Sequence, residues 1–344
     1  MIDAICIELK EKKSYTNESI IETVYFGGGT PSLLNQEQLS KIFQSIHTHY
    51  VLSKTTEITL EANPEDITLN ALAVWKDIGI NRFSIGIQSF QNSSLKWMNR
   101  NHTSEEALNS VALAQGCGFD NISIDLIYGL PNLDVEQWKE EIKTAIGLNV
   151  SHISTYCLTI EEKTALGSLV KKGKVRLNSE DTIEQHMLVL MDAMKVAGYE
   201  QYEISNFCKP TFESKHNSSY WKRIPYIGIG PGAHSYNGKT RQFNVSNNSL
   251  YIKYINEPSL GNVSTVEELS GNDEYNEYIL TRLRTKWGIK KDDITAFQSI
   301  NSVKISKLLD SFCKNGFIVM EADVYKLTTK GKLLADEITL QLMV

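Results

Sequence analysis

Along the first 205 residues, short apolar runs alternate with longer stretches of helical period. Residues 23–26, 57–62, 82–88, 121–128, 152–158 and 200–204 are rich in β-branched and aromatic side chains and end at turn residues, which predicts strands. Between them, Leu39, Ile42, Phe43 and Ile46 fall on one helical face, and Met187, Leu190, Met191 and Met194 repeat the pattern. Asn35 with Gln38, Thr103 with Glu106 and Asp134 with Gln137 have capping-box spacing and mark helix starts. The strand starts recur at the length of a βα unit, so a parallel sheet with right-handed crossovers is expected. Six units fall short of the eight that close a barrel. The expected fold class is therefore α/β, an incomplete (β/α) barrel, with a doubly wound open sheet as the other arrangement.

Residues 206–262 lose this rhythm and collect Pro, Gly, Asn and aromatic residues. Beyond 263 the pattern reads as helices over 269–283, 291–297 and 303–315, a hairpin of 317–320 with 324–327, and a helix over 330–340. That order is winged-helix-like. Three domains are expected: the core 1–205, a connecting segment 206–262 and a C-terminal domain 263–344.

A winged helix invites a nucleic-acid reading, which charge disfavours. The chain of 344 residues has 35 Lys+Arg against 41 Asp+Glu, a net of −6. From Gly271 onward, 11 basic residues face 10 acidic ones, a poor footprint for phosphate. No apolar run nears the roughly 18 to 20 residues that span a bilayer, and residues 1–14 form a charged amphipathic pattern without a signal-peptide core. A cytoplasmic protein with no nucleic-acid partner is expected. The five cysteines, 6, 117, 157, 208 and 313, are too dispersed for a local metal site or a disulfide framework. Each alone reads as a small buried hydrophobe.

In parallel α/β folds the site forms at the carboxyl ends of the strands. There the chain places Gly27-Gly28-Gly29-Thr30-Pro31, then Glu61 and Asn63, Gln88 and Ser89, Asp125 and Tyr128-Gly129, and Thr159. The triple glycine permits positive φ and close approach of another molecule; a tight structural turn explains it equally well. It lacks the Gly-Lys-Ser/Thr of a P-loop. Glu61 and Asp125 are acids within apolar strands, suited to an ammonium or ribose hydroxyls or else to an internal ion pair. Arg100 is suited to a ligand carboxylate. Together these groups describe a site for a zwitterionic, ribose-containing ligand.

Four motifs carry a resemblance: Tyr-Phe-Gly-Gly-Gly-Thr-Pro-Ser (25–32), Glu-Ala-Asn-Pro (61–64), Ser-Ile-Gly-Ile-Gln-Ser-Phe (84–90) and Ile-Asp-Leu-Ile-Tyr-Gly-Leu-Pro (124–131). In their order and spacing the chain resembles the radical S-adenosylmethionine (SAM) proteins related to oxygen-independent coproporphyrinogen III oxidase. Within that group, His-Asn-Ser-Ser-Tyr-Trp (216–221) and Gly-Ile-Gly-Pro-Gly-Ala-His-Ser (228–235) resemble the HemW-type haem chaperones. The resemblance implies a radical SAM fold in which Gly28, Gly29 and Thr30 meet the methionine part of SAM. Glu61, Gln88, Arg100 and Asp125 complete that pocket, and Thr159 lies near another contact. It implies haem binding through His216 as iron ligand, with Tyr220 and Trp221 covering a porphyrin face and Cys208 or His234 as other ligand candidates. Read without the family, His216 beside aromatic residues is an ordinary structural histidine.

The implied function is delivery of haem to haem-accepting respiratory proteins, with peripheral membrane association through a recipient. Oxidative decarboxylation of coproporphyrinogen III is the alternative. The family also holds a [4Fe–4S] cluster through a Cys-x-x-x-Cys-x-x-Cys loop. None of the five cysteines matches that loop, and residues 1–12 align with the helix that follows it. The core is thus expected to lack its first strand and cluster loop, a shortened chain being the simpler reading and a relative without radical chemistry the other.

Overall fold

The computed structural model describes residues 1–16, 20–161, 163–297 and 300–344. It divides into two units: Met1–Val24 with Leu34–Glu57 and Lys215–Val344, and Tyr25–Leu33 with Ile58–Ser214. The second unit holds the strand ends that matter for function.

Its seven strands are β1 (Ile20–Phe26), β2 (Val51–Ala62), β3 (Arg82–Gln88), β4 (Ile122–Tyr128), β5 (His152–Cys157), β6 (Glu200–Glu203) and β7 (Asn206–Cys208); β1 and β2 enter the unit only with their C-terminal ends. The sheet order is β1-β2-β3-β4-β5-β7-β6. Strands are added in one direction from β1 to β5, with no reversal. A doubly wound sheet needs such a reversal, so the sheet is the curled, incomplete barrel. The pairs β2–β3, β3–β4 and β4–β5 are parallel.

The last two strands correct the expectation of a wholly parallel sheet. β6 turns back at once into β7, which pairs antiparallel with both β6 and β5. The expected sixth parallel strand is thereby displaced one place outward.

Alternation along β3, β4 and β5 gives the sheet two unlike faces. Phe83, Ile85, Ile87, Ile122, Ile124, Leu126 and Ile153 are buried on one side, where Trp75 of the helix Leu69–Ile78 packs on Phe83 at 5.4 Å between rings. Arg82, Ser84, Ser123, Asp125, His152 and Ser154 share the other side, and the register aligns them in rows. Buried polar groups need partners. Ser123 Oγ lies 2.7 Å from His152 Nδ1, and His152 Nε2 lies 2.9 Å from the Tyr202 hydroxyl. Burial lowers the His152 pKa well below the usual histidine value, so the ring is neutral. The three capping boxes form as their spacing predicts, with both reciprocal bonds present at Asn35/Gln38, Thr103/Glu106 and Asp134/Gln137.

In the first unit, the helix Ile2–Glu11 packs Ala4 against Tyr251 and Ile255 of the helix Asn248–Asn256. Glu8 is buried. Its carboxylate accepts from Gly230 N–H at 2.8 Å, the Tyr251 hydroxyl at 2.6 Å and Asn244 Nδ2 at 2.7 Å, and pairs with Lys12 Nζ at 3.0 Å. Lys12 Nζ also donates to the Gly228 carbonyl at 3.1 Å. The glycine run 228–235 is thus clamped to the N-terminal helix.

The C-terminal part runs helix Gly271–Leu283, strand Ile289–Lys290, helices Lys291–Ala296 and Ser302–Lys314, and strands Ile318–Glu321 and Val324–Leu327. The short strand Ile289–Lys290 pairs with Val324–Leu327 and completes a three-stranded wing. The final helix is broken in two, Thr329–Leu333 and Ala335–Leu342. At Gly331 a Cβ would stand 1.9 Å from the Phe317 carbonyl oxygen, so the first segment seats its backbone directly on the hairpin.

Candidate functional site

The glycine turn after β1 is built around Glu61. A Cβ at Gly27 would lie 2.6 Å from the Tyr25 ring and 2.7 Å from Glu61 Oε1, so the approach of that carboxylate requires a glycine there. Gly28, at φ +80°, donates its N–H to Glu61 Oε2 at 3.3 Å. Tyr25 donates its hydroxyl to Glu61 Oε1 at 2.7 Å. Burial, and then the Glu61 charge, push the Tyr25 pKa far above the ordinary tyrosine value, which keeps it a proton donor. Gly28 and Gly29 face open space where a side chain would be. Thr30 is exposed, and its carbonyl accepts from Leu33 N–H at 3.1 Å as the turn Pro31–Leu33 begins.

One strand further, Ser84 is the register partner of Glu61 and donates to Asp125, its Oγ lying 3.2 and 3.1 Å from the two carboxylate oxygens. Ser154, opposite Asp125 in the β4–β5 register, hydrogen-bonds the same carboxylate. Burial raises the Asp125 pKa to about 6; the hydrogen bonds from Ser154 and Ser84 and the charge of Arg82 oppose that shift, and Glu61 adds to it.

Gln88 and Arg100 both approach the Cβ position of Gly86. A Cβ at 86 would stand 2.9 Å from Gln88 Nε2 and 3.9 Å from an Arg100 guanidinium nitrogen. Arg100 Nη1 also reaches Asn63 Oδ1 at 3.5 Å. The structure therefore ties Gly28 to Glu61 and Ser84 to Asp125, sets Ser84 beside Glu61 in the strand register, and brings Gln88 and Arg100 to the same side of Gly86. Gly29 and Thr30 are exposed on the turn itself. Thr159 is exposed beyond β5, its hydroxyl donating back to the Cys157 carbonyl at 3.4 Å. Tyr25, Ser84 and Ser154 are additions to the residues singled out in the sequence. Ser84 and Tyr25 stand inside the quoted motifs, which was the available signal.

The second candidate group lies in the first unit, on the helix Lys215–Trp221. Both oxygens of the buried Glu57 carboxylate cap its start, accepting from Lys215 N–H and His216 N–H at 3.0 Å each. His216 and Tyr220 are four residues apart and so share a helix face. Their rings meet edge to face at 5.0 Å, with His216 Nε2 2.9 Å from the Tyr220 hydroxyl. His216 Nδ1 lies 2.9 Å from Thr23 Oγ1. Tyr220, partly exposed, continues edge to face onto Tyr226 at 4.7 Å. His234 is exposed beside Phe243, and Cys208 is fully buried in β7.

Comparison with known proteins agrees with these motifs. Residues 8–145 match the model of the Radical SAM superfamily. The heme chaperone HemW of Bacillus subtilis is 34% identical over 342 residues, 98% of this chain and 89% of that protein. The chain belongs to the HemW family. The HemW of Lactococcus lactis is 37% identical over 78% of this chain and 72% of its own length, and that of Escherichia coli 30% identical over 96% and 86%. In fold, this HemW family member resembles the coproporphyrinogen III oxidase HemN of Escherichia coli, described as a radical SAM enzyme. The TM-score is 0.82 and the identity 21%, covering 99% of this chain and 82% of HemN.

Radical SAM membership implies SAM and a [4Fe–4S] cluster. The strand-end residues fit SAM, because open space above Gly28–Gly29 lies on the same turn that Glu61 anchors. The cysteines do not fit a cluster. None of the five is in a disulfide, they stand on or beside separate elements, and among the described residues no three His, Cys, Asp or Glu gather as metal ligands. Among the described residues, no helix is long and apolar enough to cross a membrane.

Proposed function

We propose that this HemW family member binds haem on the helix Lys215–Trp221 and hands it to haem-dependent, respiratory proteins, and that it holds SAM at the carboxyl ends of β1–β4. The single observation that carries the haem reading is the pairing of His216 with Tyr220 on one face of a short helix whose start is fixed by Glu57. Imidazole is a common axial ligand of haem iron, and the Tyr220 and Trp221 rings offer apolar surface for a porphyrin. Both ring nitrogens of His216 are hydrogen-bonded to hydroxyls. Ligation through Nε2 therefore requires the Tyr220 hydroxyl to release it, which is a small rearrangement of a partly exposed side chain. The likeness to HemN supports the fold alone and carries no activity to this chain.

For SAM, Gly28, Gly29 and Thr30 would line the methionine end, and Glu61, Asp125, Gln88 and Arg100 would supply hydrogen bonds and charge. Thr159 would stand at the pocket's edge. SAM in this superfamily is a source of carbon-centred radicals when a reduced cluster is present; the residues of this chain contribute binding and orientation.

Haem titration of wild type, His216→Ala and Tyr220→Phe tests the haem reading. The expected result is a shifted Soret band and about tenfold weaker binding in His216→Ala. Tyr220→Phe, which removes the competing hydroxyl but keeps the ring, should bind at least as well as wild type. A folded His216→Ala variant with the wild-type Soret position and affinity would transfer the iron ligand elsewhere and overturn the assignment.

A further inference from the structure

Gln88 holds a backbone conformation that glutamine rarely adopts. Its φ is +68°, in the left-handed region, and it is 8% exposed. The register between β3 and β4 shifts between Ile85 and Gln88, so the strand bulges at this residue. A non-glycine residue persists in such a state only where its surroundings over-determine it. A bulge beside a site commonly re-aims a side chain.

Two buried side chains impose the bulge, one before Gln88 and one after. His102, 3% exposed, donates from Nε2 to the Ile87 carbonyl at 3.0 Å, while its Nδ1 stands 3.2 Å from the Glu65 carboxylate. Glu141, 3% exposed on the helix Val135–Gly147, accepts from the Ser89 hydroxyl and from Phe90 N–H, the latter at 2.8 Å. Ser89 Oγ accepts in turn from Gln91 N–H at 3.0 Å. The carbonyl preceding Gln88 and the two residues following it are thus fixed from outside the strand. Within the strand, the absence of a Cβ at Gly86 leaves the Gln88 amide its present place, since a Cβ there would stand 2.9 Å from Gln88 Nε2.

We propose that Glu141 and His102 are positioning residues of the SAM pocket, holding the β3 bulge so that the Gln88 amide lies beside Arg100. This rests on the SAM reading of the strand-end site. Neither residue need touch the ligand. The carboxylate of Glu141 has a buried strand end to organise; burial raises its pKa, and the hydrogen bonds from Ser89 and the backbone N–H groups oppose that shift.

A double-mutant cycle between Glu141 and Gln88 separates positioning from general stability. SAM binding to the full chain is measured by ligand-observed NMR for wild type, Glu141→Gln, Gln88→Ala and the double variant, with thermal melts alongside. Glu141→Gln keeps the size but loses one of two acceptors. Affinity is expected to fall roughly tenfold in each single variant and no further in the double variant. Ser89→Ala, which removes one donor and spares the carboxylate, should lower affinity by a smaller factor, and it serves if Glu141→Gln does not fold. His102→Gln can still donate to Ile87 and should retain most of the binding. Wild-type binding left unchanged by Glu141→Gln or by folded Ser89→Ala, or losses that multiply in the double variant, would overturn the positioning role alone. Absence of SAM binding by wild type would overturn the ligand reading, and this proposal with it.

Discussion

Asp125 illustrates how one side chain couples ligand chemistry to stability. Its pKa is 3.8 for the free group and about 6 in the fold, with burial as the leading cause. An acid whose pKa rises on folding is favoured in its protonated form. Its contribution is full below about 3.8 and is lost as pH rises through about 6. Asp125→Asn mimics the protonated form at every pH. Relative to wild type, the variant should gain stability between about pH 4 and 6, reaching at most about 3 kcal/mol at neutrality, since a tenfold difference in proton affinity is worth about 1.4 kcal/mol. Urea melts at stepped pH check this, and parallel curves would remove Asp125 as the cause. Glu61 and Asp125 were legible in the sequence because acids inside apolar strands are costly without partners. Their partners were not. Ser84, Ser154 and Tyr25 are ordinary strand residues; the motifs contain Ser84 and Tyr25, but their meeting with the carboxylates of neighbouring strands is not encoded in any one strand's pattern.

At the scale of elements, the glycine turn makes three distinguishable demands. Gly29 has ordinary φ and open space, so Gly29→Ala should be nearly neutral for stability. Gly28→Ala also meets open space but places a Cβ at φ +80°, for which about 1–2 kcal/mol is expected. Gly27→Ala pushes into Tyr25 and Glu61, an overpacking of about 1–3 kcal/mol that should also weaken SAM binding. Denaturant melts of the three variants check the order 29, 28, 27. Helix starts were readable because a capping box is a local pair of side chains. β7 was not, since three residues are too few to show alternation and its partner β5 lies some fifty residues away. The break at Leu334 was equally hidden, because it follows from the seating of Gly331 on Phe317 rather than from helix propensity.

Across the whole chain, family motifs and the rhythm of βα units made the sheet and its strand ends legible, while the longest-range contacts stayed invisible. The run 228–235 reads as a motif, yet nothing local names Glu8 and Lys12 as its clamp. Glu8→Gln leaves the part-buried Lys12 beside a neutral partner, although Gly228 and Asn244 still accept from it, and about 1–3 kcal/mol of destabilisation is expected. Equilibrium urea unfolding tests it, and Lys12→Met added to Glu8→Gln should recover part of the loss; a single variant as stable as wild type would show the pair to be dispensable.

The same clamp sets a schedule for biosynthesis. Glu8 and Tyr251 are separated by 243 residues. At ordinary translation speeds of about 5–20 residues per second, Glu8 waits roughly 12 to 50 seconds for its Tyr251 donor to be made. Throughout that interval, the apolar face of the helix Ile2–Glu11 is without Tyr251 and Ile255, and the nascent chain presents it to whatever factors attend the ribosome.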